Sequence, residues 1–118
     1  MRGSRIKVTV DTKRIRPKVG KAANAAVGIV TQQVVKDGNL YAPQDTGELH
    51  RSGIRHSDFK KGKAIWSTPY ARRLYYGTRF KFSKDKNPRA QALWAKKAKS
   101  VHSREWAKVA QKAVEKGL

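Results

Sequence analysis

The sequence predicts an α+β fold: a small antiparallel sheet packed with a long N-terminal helix, a short middle helix and C-terminal helices. Three patterns point to it. Apolar residues alternate with polar ones near the N-terminus, recur at helical spacing in two long flanking segments, and are punctuated by proline and glycine in between. At 118 residues the chain reads as a single domain over 1–118, long enough to bury a core.

Ile6, Val8 and Val10 alternate with Lys7 and Thr9, the period of a half-buried strand, which suits the edge of a sheet. From Pro17 onward Val19, Ala23, Ala26, Val27, Val30 and Val34 fall on one stripe. This predicts a helix to about Lys36, closed by Asp37-Gly38-Asn39. Gly20 and Gly28 weaken it intrinsically, so burial must stabilise it, and its small residues let it lie close to its neighbours.

Next comes Tyr41-Ala42-Pro43-Gln44-Asp45-Thr46-Gly47-Glu48-Leu49-His50-Arg51-Ser52. Pro43 fixes its own φ and pushes Ala42 toward extended geometry. Asp45 or Thr46 can cap a short helical turn anchored by Leu49, and Gly47 suits a strained backbone. Ser52-Gly53-Ile54 then leads into a strand, Ile54 to Asp58. A second strand, Lys63 to Ser67, follows through Phe59-Lys60-Lys61-Gly62, giving a hairpin with a basic tip. Pro69 opens a short helix with Thr68 as its cap and Tyr70, Ala71, Leu74 and Tyr75 at helical spacing, and Gly77 closes it before Thr78. Tyr75 and Tyr76 are adjacent, so only one can face the core. The other is an interface anchor.

Residues 79–88 read as a projecting basic arm or loop, in which Arg79, Phe80, Lys81, Phe82 and Ser83 alternate as a third strand or an extended segment. Pro88 then opens a helix capped by Asn87, with Ala90, Trp94, Ala98 and Val101 on one face. The stripe breaks there and resumes at Trp106, Val109, Ala110 and Ala113. This predicts a kink or a second helix capped by Ser103, with Lys108, Lys112 and Lys116 on its solvent face.

The two central segments carry a family resemblance. Tyr41, Ala42, Pro43, Thr46, Gly47, Leu49 and Ser52, and then Tyr70, Ala71, Gly77 and Thr78, stand at characteristic spacing. In them the chain resembles the minor capsid and head-to-tail joining (tail completion) proteins of tailed bacteriophages. The match is strong over the middle third, and the helical flanks agree in pattern. Many relatives carry an acidic residue where this chain has Tyr76. The resemblance implies a structural virion protein of the neck, joining the capsid portal or adaptor complex to the tail as part of a ring around the DNA passage. It implies copies of itself and the neighbouring neck proteins as partners, with passing genomic DNA as a further candidate. It implies a place in the virion after assembly in the host bacterial cytoplasm, with no cofactor and no membrane.

A net charge of +20 calls for negatively charged partners. Residues 1–40 carry nine basic and two acidic groups, 41–78 seven and three, and 79–118 twelve and three, so the excess is spread along the chain. The densest clusters are Lys60, Lys61 and Lys63 at the hairpin tip and Arg79, Lys81, Lys84 and Lys86 on the arm. With Tyr76, Phe80 and Phe82 these are the candidate contacts to a partner or to DNA. A small basic nucleic-acid-binding protein of ribosomal or nucleoid type is the competing reading.

Signs of catalysis are weak. His50, His56 and His102 match no metal spacing, and capping explains Asp45 and Glu48 more simply than a nuclease site does. No phosphate loop, nucleophile elbow or dinucleotide fingerprint appears, and the chain is read as a non-enzyme without cofactor or metal. Absence of cysteine excludes disulfides and thiolate metal sites. The longest apolar stretch, Ala22 to Val30, is too short to span a membrane and contains Asn24 and Gly28. Trp66, Trp94 and Trp106 sit within apolar patterns, which favours core positions over platforms for stacked bases.

Overall fold

The structure is a computed structural model and describes residues 5–9, 21–44 and 46–117. Strand β1 (Arg5–Thr9) is followed by helix α1 (Lys21–Asn39), helix α2 (Glu48–His56), strand β2 (Lys63–Ser67), the short helix α3 (Ala71–Tyr75) and helix α4 (Trp94–Gly117). β1 and β2 pair antiparallel from Arg5 opposite Ser67 to Thr9 opposite Lys63. α1 and α4 pack along each other, and α2 packs on β2. The α+β class is the predicted one, and several elements differ from expectation for identifiable reasons. Val10, the predicted start of α1 from Pro17 to Gly20, and Asp45 lie outside the described residues.

α1 does not stop at Lys36. It continues through Asp37-Gly38-Asn39, because each residue that reads as a breaker has a packing role. Asp37 is buried and accepts hydrogen bonds from Gln33 Nε2 and, at 2.6 Å, from Trp106 Nε1. Asn39 accepts from Trp66 Nε1 at 2.8 Å and donates to the His50 carbonyl at 3.1 Å. The Trp66 ring lies so close to Gly38 that a Cβ there would come within 2.7 Å of it. Ala26, Val27, Val30 and Val34 of the stripe are all buried.

The predicted hairpin strand from Ile54 to Asp58 is instead helix α2 as far as His56, followed by a single bridge from Asp58 to Lys63. Its β-branched residue, Ile54, is 63% exposed, so strand propensity had no pocket to reward it. Gly53 faces the Trp66 indole closely enough that a Cβ would sit 2.6 Å from Nε1. Ser57, with φ −69° and ψ 144°, ends the helix, and its hydroxyl accepts the Ile65 N–H at 2.9 Å. The turn at residues 59–62 carries Lys60 and Lys61 as expected, but the true partner of β2 is β1.

α3 begins at Ala71, after a turn in which Ala71 N–H bonds the Thr68 carbonyl. The Thr68 hydroxyl, the predicted cap, is buried and has no hydrogen-bond partner among the described residues. Pro88 does not open a helix either. The backbone N–H groups that follow it are spent on other partners: Gln91 on the Tyr41 carbonyl at 2.9 Å and Leu93 on the Tyr75 carbonyl at 2.8 Å. Leu93 then turns through φ 52°, and α4 starts at Trp94. Residues 79–84 form no strand, leaving the reading of an extended segment.

α4 runs unbroken through Ser103. The apparent gap in its stripe is filled by His102, which is half-buried and hydrogen-bonded to the Tyr41 hydroxyl at 3.0 Å. Val101, assigned to the buried face, is 52% exposed. Trp66 and Trp94, both fully buried, meet edge to face at 6.1 Å between centroids, and Tyr75 packs on Trp94 at 4.7 Å. That aromatic row is where sheet, short helix and α4 converge.

Candidate partner interface

Most motif residues of the two central segments meet in one buried knot, with Thr46 and Thr78 exposed. Gly47 precedes α2 at φ 85°, a left-handed conformation that glycine adopts without a Cβ penalty. The Thr46 hydroxyl accepts the Glu48 N–H at 3.3 Å, and the Gly47 carbonyl takes the Arg51 N–H at 3.0 Å. Leu49 and Ser52 are buried; the Ser52 hydroxyl donates to the Leu49 carbonyl at 2.7 Å and accepts the Ser67 N–H at 3.2 Å, stitching α2 to the end of β2. Tyr41 is buried, Pro43 half-buried. The carbonyl of Ala42 between them accepts from His50 Nε2 and Asn87 Nδ2, each at 2.8 Å. Tyr70 packs against the core and Ala71 is fully buried. The hydrogen bonds of the knot serve its architecture.

Groups considered for catalysis are engaged in the same way. Glu48 faces Arg51 at 3.2 Å and also pairs with Arg55, and hydrogen bonds from Arg55 first and Arg51 second hold its carboxyl below the usual carboxylate range. Among the described residues no three His, Cys, Asp or Glu side chains gather in a way that could hold a metal. An open cleft of about 450 Å³ runs beside the knot, lined in part by Asn39, His50, Asn87, Lys86 and Arg89. Of its polar walls, Asn39, His50 and Asn87 serve internal hydrogen bonds.

The surface beyond α3 has a different character. Tyr75 is buried and Tyr76 is 61% exposed, which settles the division of the tyrosine pair. The Arg72 guanidinium lies 6.0 Å from the Tyr76 ring centroid, and Tyr76 stands edge-on to Tyr75 at 5.2 Å. Gly77 and Thr78 turn the chain, with Gly77 donating to the Leu74 carbonyl and Thr78 to that of Tyr76. Phe80, 48% exposed, folds back so tightly that a Cβ on Gly77 would meet its ring at 2.1 Å, and Phe82 meets Phe80 edge to face at 6.1 Å. Arg79 and Lys81 are exposed beside them. The result is an aromatic patch edged with cations, which is the composition of a protein interface core.

Not every predicted contact residue joins this patch. Lys84 Nζ donates to the Ala90 carbonyl at 2.6 Å, which ties the far end of the arm back to the body. Lys60 and Lys61 are in the turn between α2 and β2, and Lys63 is half-buried within β2. Arg72 was missed at the sequence level, although its spacing four residues before Tyr76 on a short helix was a readable signal. Asn39, Asn87 and His102 gave no such signal, because their partners are distant in sequence.

Comparison with known families finds that residues 6–114 match the one described as "Minor capsid protein". The chain belongs to the minor capsid protein family. The match extends over both helical flanks as well as the central motif, so membership rests on nearly the whole chain. As a phage minor capsid protein it is a structural component of the virion and contacts other virion proteins. Comparisons with curated proteins and with solved structures returned no match. Among the described residues no helix is long and apolar enough to cross a membrane.

Proposed function

We propose that this minor capsid protein works at the neck of the particle, joining the capsid portal or adaptor complex to the tail as one subunit of a ring around the DNA passage. Its role in that reading is structural and not catalytic. Support comes from one contrast: most of the family motif is engaged in a hydrogen-bonded knot, while Tyr76 and Phe80, with Arg72, Arg79 and Lys81, are exposed and Phe82 packs half-buried beside Phe80. Exposed aromatics and arginine on a short, constrained turn are suited to anchor a neighbouring protein. The cations around them suit an acidic one. The basic residues Lys60 and Lys61 on the turn before β2, Lys63 at the start of β2, and Lys84 and Lys86 at the far end of the arm are secondary contacts outside the patch.

Repetition in a ring multiplies each weak contact, so modest patches suffice for a firm joint. Electron micrographs of particles assembled without this protein test the role. Capsids and tails accumulating apart support it, and normally joined particles remove it.

A further inference from the structure

The exposed face of α4 answers a different chemistry from the aromatic patch. The helix carries Lys96, Lys97, Lys99, Arg104, Lys108, Lys112 and Lys116 against only Glu105 and Glu115, and all nine are exposed. Lys97, Arg104, Lys108, Lys112 and Lys116 recur at intervals of seven, four, four and four, so they form one slowly winding exposed row along the flank of the buried stripe of Trp94, Ala98 and Ala113. At a rise of about 1.5 Å per residue the row is ~28 Å long. Lys108 pairs with Glu105 at 3.7 Å; among the described residues Lys97, Arg104, Lys112 and Lys116 have no ion pair.

We infer that this row binds the phosphate backbone of duplex DNA without regard to sequence. The partner follows from what the face lacks as well as what it has. It holds no aromatic residue, and Val101 is its one large exposed apolar side chain. Protein interface cores are depleted in lysine and built on aromatic anchors, and this chain places such anchors on the α3 turn instead. A long, lysine-rich row that winds slowly along one helix meets the requirement of a polyanion with one charge per ~3.4 Å along each strand, where counterion release supplies the affinity. Five mobile cations on a rigid rod carry no group set for reading base edges. The inference goes beyond the joining role and does not depend on it.

The test is fluorescence anisotropy of the full chain with duplexes of two unrelated sequences over a range of salt. One variant combines Lys97→Gln, Arg104→Gln and Lys108→Gln, which keep helix propensity. A control combines Arg5→Gln, Lys7→Gln and Arg73→Gln, removing the same number of exposed charges elsewhere. The wild type should bind both duplexes equally, more weakly as salt rises. The α4 variant should lose affinity roughly tenfold or more, with a salt slope shallower by about 2.7, while the control changes by less than about twofold. A Lys97→Arg, Lys108→Arg variant should bind like wild type, and circular dichroism melts report whether each variant is folded. Absence of wild-type binding, or equal losses in the α4 variant and the control, overturns the inference. Neither result bears on whether heads and tails join.

Discussion

Gly47 sets the direction of the chain into α2. Its φ of 85° is costly for any residue with a β-branch, by about 1–3 kcal/mol, and Gly47 itself holds the N-cap position, with the Thr46 hydroxyl adding only the hydrogen bond it accepts from the Glu48 N–H. Thr46→Ala combined with Gly47→Val should therefore lower the melting temperature clearly and prevent assembly into particles. A double variant that melts and assembles like wild type would refute the turn. Tyr75 gives a second, pH-dependent handle. Burial first, and the neighbouring Tyr76 to a lesser degree, push its phenol above the usual value of about 10, against the opposing hydrogen bond from the Lys96 N–H. A raised value in the folded state means the contribution is complete below the unfolded value and is lost as pH rises through the folded one. Thermal melts in alkaline solution should accordingly fall more steeply with pH for wild type than for Tyr75→Phe. Parallel curves would contradict that assignment.

At the scale of elements, α2 shows local preference yielding to packing. Alanine is the better helix former than glycine by about 0.8–1 kcal/mol, so Gly53→Ala in a free helix would stabilise. Here the new Cβ would stand 2.6 Å from the Trp66 indole, which is fully buried and hydrogen-bonded to Asn39 and cannot step aside. Overpacking of that kind costs about 1–3 kcal/mol, so the clash wins and the variant should melt below wild type in a calorimeter. A stabilised Gly53→Ala would mean that α2 does not lie on Trp66. The continuity of α4 was hidden for a related reason. His102 occupies the inward position where the apolar stripe lapses, and its burial makes sense only once Tyr41 is seen across from it.

For the whole molecule the dominant quantity is charge. Copies carrying +20 each repel one another, so a ring needs counter-charge from acidic neighbours or DNA, and isolated subunits should stay apart at low salt. The patch after α3 is the surface on which neighbours are expected. Arg79→Ser, Phe80→Ser and Lys81→Ser together touch only exposed side chains, so the melting temperature should change little. Incorporation into particles should drop, and wild type assembled at high salt should show part of the same defect. Normal incorporation and infectivity of the triple variant would exclude the patch from the joint.

The sequence by itself determined the α+β class, the long N-terminal helix, the strand from Lys63 to Ser67, the short helix after Pro69 and the family, because each of these is written in local periodicity or in residues with special backbone demands. Pro43 and Gly47 announce turns through their own dihedrals, and Gly77 leaves room for the Phe80 ring. Contacts distant in sequence chose the partner of β2, the helical state of residues 54–56, the run of α1 through Gly38, and the continuity of α4. For the two helices around Trp66 and for α4 a side chain distant in sequence supplied the contact, Trp66 against Gly38 and Gly53 and Tyr41 against His102, and the main-chain carbonyls of Tyr41 and Tyr75 did the same for the segment after Pro88. Periodicity reports what a segment prefers alone. It carries no record of which distant ring or carbonyl will be waiting.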